Sequence, residues 1–164
     1  MNVLLRLTNW HAALGRLLDK LQWLALLAAR LYIAKVFWSS GWIKFTNWPS
    51  TLDLFESEYH VPVLPPHVAA VAGTFGELFF PTLLVLGLFG RIGALGTFFV
   101  NAMAVISYSH VLLSDGFQAA LGDHILWGTL LAGLTVFGPG KVSVDAWLER
   151  LSANRSRPFA PALT

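Results

Sequence analysis

Leu21-Gln-Trp-Leu-Ala-Leu-Leu-Ala-Ala-Arg30-Leu-Tyr-Ile-Ala-Lys35-Val-Phe-Trp-Ser-Ser-Gly-Trp-Ile43 decides the fold class of this chain. Only Arg30 and Lys35 bring charge into an apolar run long enough to cross the roughly 30 Å hydrocarbon core of a bilayer as one helix. Three further runs of the same kind cover residues 67–89, 92–113 and 119–137. The composition agrees: 55% of residues are hydrophobic, 12% are charged and the mean hydropathy is +0.61. Each value departs from soluble averages in the direction of a chain dissolved in lipid. The sequence therefore predicts an all-α polytopic membrane protein, a bundle of four transmembrane helices. With 164 residues there is room for one domain, residues 1–151, and 152–164 read as a disordered cytoplasmic tail.

The connectors predict how the bundle is oriented, because Lys and Arg flanking a span remain in the cytoplasm. Arg6, Arg16 and Lys20 precede span one, Arg91 lies in a tight Gly90–Gly93 turn between spans two and three, and Lys141, Arg150, Arg155 and Arg157 follow span four. The other two connectors hold Asp53, Glu56, Glu58, Asp115 and Asp123, with no Lys or Arg. Four spans satisfy all five segments with both termini inside, and the expected location is a bacterial cytoplasmic membrane. The net charge of +2 and a pI near 9.2 then reflect basic ends that meet lipid headgroups, not a nucleic-acid surface.

Amphipathic helices are expected at both ends. Leu4, Leu7, Ala13 or Leu14 and Leu17 or Leu18 recur at helical spacing among charged residues, so the first twenty residues read as a separate interfacial helix and not as a cleaved signal. After Gly138-Pro139-Gly140 a second one starts, with Ser143 as its cap. The outer loop carries Pro49, Pro62, Pro65 and Pro66, and Leu52, Phe55 and Tyr59 at helical spacing predict a short helix before an extended return.

Ionisable residues at membrane depth are the functional suspects, since a charge in hydrocarbon costs several kcal/mol. Arg30, Ala34, Phe37, Gly41 and Lys44 share one stripe of span one, which should face other helices, whereas Lys35 lies off it and would anchor at an interface. Gly73, Glu77, Phe80, Leu84 and Gly87 form the matching stripe of span two. Glu77 is the carboxylate deepest in any span, and Pro81 removes the backbone hydrogen bond to its carbonyl. Facing Arg30 or Lys44, Glu77 would form a buried ion pair that either locks helix register or binds a ligand. Span three adds Thr97 and Asn101; span four adds Asp123, His124 and Trp127. The expectation is one polar cluster of Arg30, Lys44, Glu77, Asn101 and His124, open to the outer face and walled by Trp42, Phe80 and Trp127.

A metal would have to be held by imidazoles such as His60, His67 and His110, yet no pair has the i, i+4 spacing of a helical site. The absence of cysteine excludes thiol catalysis, disulfides and thiolate metal sites. Any redox role then needs a bound ligand or a partner subunit.

These residues resemble the DoxX family of small four-helix bacterial membrane proteins. The resemblance runs from about Leu26 to Leu148. It rests on Arg30-Leu-Tyr-Ile-Ala-Lys-Val-Phe-Trp-Ser-Ser-Gly-Trp-Ile-Lys44, Gly76-Glu77, Leu86-Gly-Leu-Phe-Gly-Arg91, His124-Ile-Leu-Trp127 and Gly138-Pro-Gly-Lys-Val-Ser-Val-Asp145. It carries the family pattern onto Arg30, Gly41, Lys44, Glu77, Arg91, Gly138, Gly140, Ser143 and Asp145. The loop Phe55–Pro66 also resembles a subgroup encoded beside metal-dependent peptide-modifying enzymes and small secreted copper-responsive peptides. One family branch resembles a quinone-reducing subunit, others accompany oxidoreductases or act in envelope stress, and catalysis is not a family constant.

The resemblance implies a membrane component of a redox or metal-stress system that binds a small ligand, such as a quinone, and works with other membrane or periplasmic proteins, self-association included. It would be at most a subunit of an oxidoreductase complex, with no intrinsic cofactor. The alternative is a noncatalytic chaperone or export scaffold whose Pro-rich outer loop grips a secreted, metal-binding peptide.

Overall fold

In the computed structural model the chain is described over residues 2–155, and no strand forms among them. The helices are α1 (Asn2–Thr46), α2 (Trp48–Ser57), α3 (Pro66–Leu86), α4 (Gly90–Ser107), α5 (Ser109–Leu112), α6 (Gln118–Phe137) and α7 (Val144–Arg155). Four of them, α1, α3, α4 and α6, are long and apolar enough to cross a membrane, at the four places that the apolar runs predict. The chain is an integral membrane protein.

Three boundaries differ from expectation. The N-terminal amphipathic segment is helical but not separate: α1 runs through it without a break, because no proline interrupts it and Gly15 alone does not end a helix. Span three stops at Ser107 rather than reaching residue 113, and the chain re-enters the short α5 after Tyr108. At the other end, residues 152–155 of the expected tail continue α7, while 156–164 lie outside the described residues. The outer-loop helix is found as α2, with a proline in its first turn. Pro65 and Pro66 open α3, where a missing N–H costs nothing.

Helices α1, α3, α4 and α6 pack around Ile33, Phe37, Leu84, Ala94, Leu131 and Leu134. Glycines set how closely they approach. A methyl group on Gly41 would meet Cβ of Glu77, and one on Gly93 would meet the α3 backbone at Leu84 and Phe80. A smaller cluster of Phe55, Ala69 and Ala70 fastens α2 onto α3, and the Thr51 hydroxyl donates to the Lys44 carbonyl to hold α2 against the end of α1.

One end of the bundle is tied by charges acting on helix termini. Arg30, 1% exposed, donates to the carbonyls of Leu84 and Val85 in the last turn of α3, and to those of Pro139 and Val142 in the connector after α6. Arg91 donates to Thr135 and Val136 at the end of α6. Asp145 accepts the N–H groups of Phe89 and Gly90, where α4 starts. Cations thus sit on helix C-termini and an anion on an N-terminus, each satisfying backbone groups the helix leaves open. Ser143 caps α7 as expected, its Oγ accepting the N–H of Ala146 at 3.1 Å. The tight turn between α3 and α4 lies at Gly87–Phe89, three residues earlier than predicted. Gly90–Gly93 is already the first turn of α4. Because Arg30 touches both the end of α3 and the connector after α6, the α1 arm and α7 leave the bundle at the same end.

Candidate functional site

The five residues expected in one cluster occupy three separate places. Arg30 belongs to the helix-end tie just described, about 14 residues and therefore roughly 21 Å along α1 from Lys44. Four of its five N–H donors go to carbonyls at that end, and Glu77 lies at the Lys44 level, out of its reach. Sharing a stripe puts residues on one face; depth decides which of them meet.

Lys44 and Glu77 do meet. The Lys44 ammonium lies 2.8 Å from both Glu77 oxygens and 2.7 Å from Ser40 Oγ, with the two charged side chains 12% and 10% exposed. An ammonium has three N–H donors, and all three are engaged. Each Glu77 oxygen keeps lone pairs beyond the one given to Lys44. The pair therefore offers acceptors to a third molecule, not donors.

Asn101 and His124 form the third group, joining α4 to α6. Asn101 Nδ2 donates to the His124 carbonyl at 2.9 Å, so its Oδ1, 2.8 Å from His124 Nδ1, must accept. That pairing holds the imidazole proton on Nδ1. The His124 ring lies edge-on to Trp127, which packs in turn against Phe37 and donates to the Tyr32 hydroxyl. Asn101 thus acts as glue between helices. Trp127 belongs to this inter-helix contact and Trp42 stacks on Trp38 at the surface, so neither walls the Lys44–Glu77 pair. Phe80 alone of the three expected aromatics does.

A cavity of ≈ 270 Å³ starts at the ion pair and runs between α3 and α4 under the 58–65 segment. Gly73 and Gly96 make the room, Phe80, Phe99 and Met103 form its apolar sides, and Tyr59 and Ser107 also line it. Phe99 is 60% exposed and Met103 37%, so this wall opens sideways toward lipid. Burial first, then the charges of Glu77, Tyr108 and Glu58, push the Tyr59 hydroxyl up to about 12, so it remains a neutral donor. Sequence reasoning missed Tyr59, Ser107 and Gly96. The small-residue pair Gly93 and Gly96 facing Phe80 was the available signal. A methyl group at Gly96 would overlap the Phe80 ring. Gly96→Ala is therefore expected to cost about 1–3 kcal/mol and to narrow the cavity, measurable as a lower unfolding temperature with weaker ligand stabilisation.

The 58–65 segment is fastened over the cavity. The His60 N–H donates to the Ser107 carbonyl at 2.9 Å, Tyr108 donates to Glu58 at 3.0 Å, and the Tyr59 and Tyr108 rings meet edge-on. That hydrogen bond with Glu58 is also the main reason the Tyr108 hydroxyl is pushed above its ordinary value. Val63 at the tip has φ +71, a left-handed conformation rare for a β-branched residue, imposed between Pro62 and Pro65. His60 and His110 lie with ring centroids 4.5 Å apart and planes tilted by 44°, whereas His67 packs against Trp48. Among the described residues no three His, Asp or Glu side chains converge as metal ligands.

The DoxX family model matches residues 25–110, just over half of the chain, from the end of the α1 arm to the start of α5. No curated protein and no solved structure matches the chain.

Proposed function

The chain belongs to the DoxX family, and from that premise we propose that it is a ligand-binding component of a bacterial cytoplasmic membrane, acting with partner proteins in a redox or metal-stress system. The observation that carries the reading is the lipid-open cavity ending on the Lys44–Glu77 pair. Its volume suits one ring-sized head, with any long tail leaving past Phe99 and Met103 into the bilayer. A quinone-type molecule has that form. Because the lysine donors are spent, Glu77 receives a hydroxyl better than a carbonyl, which favours the reduced, quinol form. Glu77 can then hold or accept the hydroxyl proton, while Tyr59 and Ser107 serve the other polar end. The chain has no cysteine to relay electrons, so electron transfer falls to a partner.

A short-chain benzoquinol should raise the unfolding temperature of the purified protein by several degrees, more than its quinone does, and Glu77→Gln should abolish the increase. Equal shifts in wild type and variant would remove the cavity from the mechanism. The scaffold alternative gains less support from Tyr59 and Val61, which are half-buried on the cavity wall, and rests on Val63 and Leu64, which the loop leaves exposed.

Arg16, Lys20, Arg91, Lys141 and Arg150 lie toward the Arg30 end and Asp53, Glu56, Glu58 and Asp115 toward the other, which supports a cytoplasmic Arg30 end and an outward cavity mouth. Reporter fusions after Leu54 and after Arg150 should then report opposite sides of the membrane, the second cytoplasmic. The same side for both would refute this orientation.

A further inference from the structure

The first half of α1 carries a seam that no described residue covers. Val3, Leu7, Trp10, Leu14, Leu17, Leu21 and Leu24 follow one another at steps of four and three, and they are 48–77% exposed. The mean step is the 3.5-residue period of a supercoiled pair; a lone amphipathic helix on a flat surface drifts from it by about 20° per heptad. The seam is about 32 Å long at 1.5 Å per residue.

Three observations decide what covers it. First, the arm extends beyond the bundle: Arg30 already sits level with the end of α3, the start of α4 and the connector after α6. Second, laying the arm on the headgroups would require a sharp bend. Kinks have specific causes such as proline, and α1 is unbroken with none. Third, where the base of the arm meets its own chain it uses the opposite face. Asp19, Gln22, Trp23 and Leu26 border a groove with α7, leaving the leucine seam turned away.

A second copy fits this seam better than any other occupant. Copies in one bilayer share one orientation, so their arms emerge parallel and in register, as a two-stranded coiled coil requires. The flanking positions do not oppose it. In parallel pairing Arg6 lies opposite His11 of the second copy and Lys20 opposite Ala25, so no two Lys or Arg side chains face each other. We propose that the α1 arms of two copies pair as a parallel, in-register coiled coil along the Val3–Leu24 seam.

The chain has no cysteine, so single-cysteine scanning of the full protein in lipid nanodiscs or native membranes has no background. Under mild oxidation Leu14→Cys and Leu17→Cys should form covalent dimers at least about tenfold faster than Ala12→Cys and Arg16→Cys, which lie off the seam. Uniform rates around the helix, or no dimer at any position, would overturn the proposal. In a Leu7→Cys reporter, adding Leu14→Asp and Leu17→Asp should slow dimer formation at least about tenfold; an unchanged rate would overturn it equally. An environment-sensitive dye on Leu14→Cys that reports lipid contact at one copy per vesicle, rising with anionic lipid, would assign the seam to the membrane surface and end the pairing model.

Discussion

Arg30→Met is expected to cause the largest loss of stability of any single substitution in the bundle, about 4 kcal/mol or more, even though Arg30 touches no carboxylate. Four carbonyls receive its guanidinium: Leu84, Val85, Pro139 and Val142. Hydrogen bonds from a charged donor contribute roughly 1.5–3 kcal/mol each, and because Arg30 itself is 1% exposed its removal also leaves a buried gap beside the Leu84 carbonyl. The loss should be specific in place. Because Lys44 and Glu77 lie at the other end, the variant that does fold should still respond to quinol. Arg30→Lys should recover only part of the loss, since three donors on a point charge cannot match a planar fork with partners on two sides. Unfolding in detergent, with and without ligand, measures both quantities. An Arg30→Met protein as stable as wild type would show that water already serves these carbonyls.

That result would also mark where sequence reading stopped. The four spans were legible because hydrocarbon thickness imposes an apolar run of known length, and the inward face of α1 was legible because Arg30, Ala34, Phe37 and Gly41 fall on one stripe. The ion-pair partner of Glu77 was not. Arg30 and Lys44 lie on the same stripe, so periodicity ranks them equally, and only the depth at which α3 crosses α1 selects Lys44. Asp145 and Arg30 illustrate the same limit, since both act on backbone groups exposed at helix ends, and which end lies nearby depends on the assembled bundle. Asn101 could be recognised as needing a partner, but nothing local names the His124 carbonyl. The α1 arm was read as interfacial because leucines at helical spacing suit a headgroup boundary and a coiled-coil seam equally. The unbroken helix is the observation on which the proposed pairing departs from that reading.

Replacing Lys44 with methionine and Glu77 with leucine together should leave the bundle folded but unable to bind its ligand. Either change alone is expected to cost about 3 kcal/mol, because it strands one charge at a site where the partner supplied the compensation. Glu77→Leu leaves the ammonium with only Ser40, and Lys44→Met leaves the carboxylate against Phe80 and Gly41. Removing both charges removes the desolvation cost along with the attraction, and a buried pair is commonly no more stabilising than a volume-matched apolar pair. Leucine and methionine are close in length to the side chains they replace, so Gly41 can still admit α3. If the pair only held the helices in register, the double variant would keep quinol-dependent stabilisation, because the cavity walls of Phe80, Phe99 and Met103 are untouched. The cavity reading requires the opposite outcome: unfolding temperature within a few degrees of wild type without ligand, and no increase when benzoquinol is added. The single variants provide the control, since each should be less stable than the double. A double variant that binds quinol as wild type does would reduce Lys44–Glu77 to a packing device and move the search for function to the His60–His110 face.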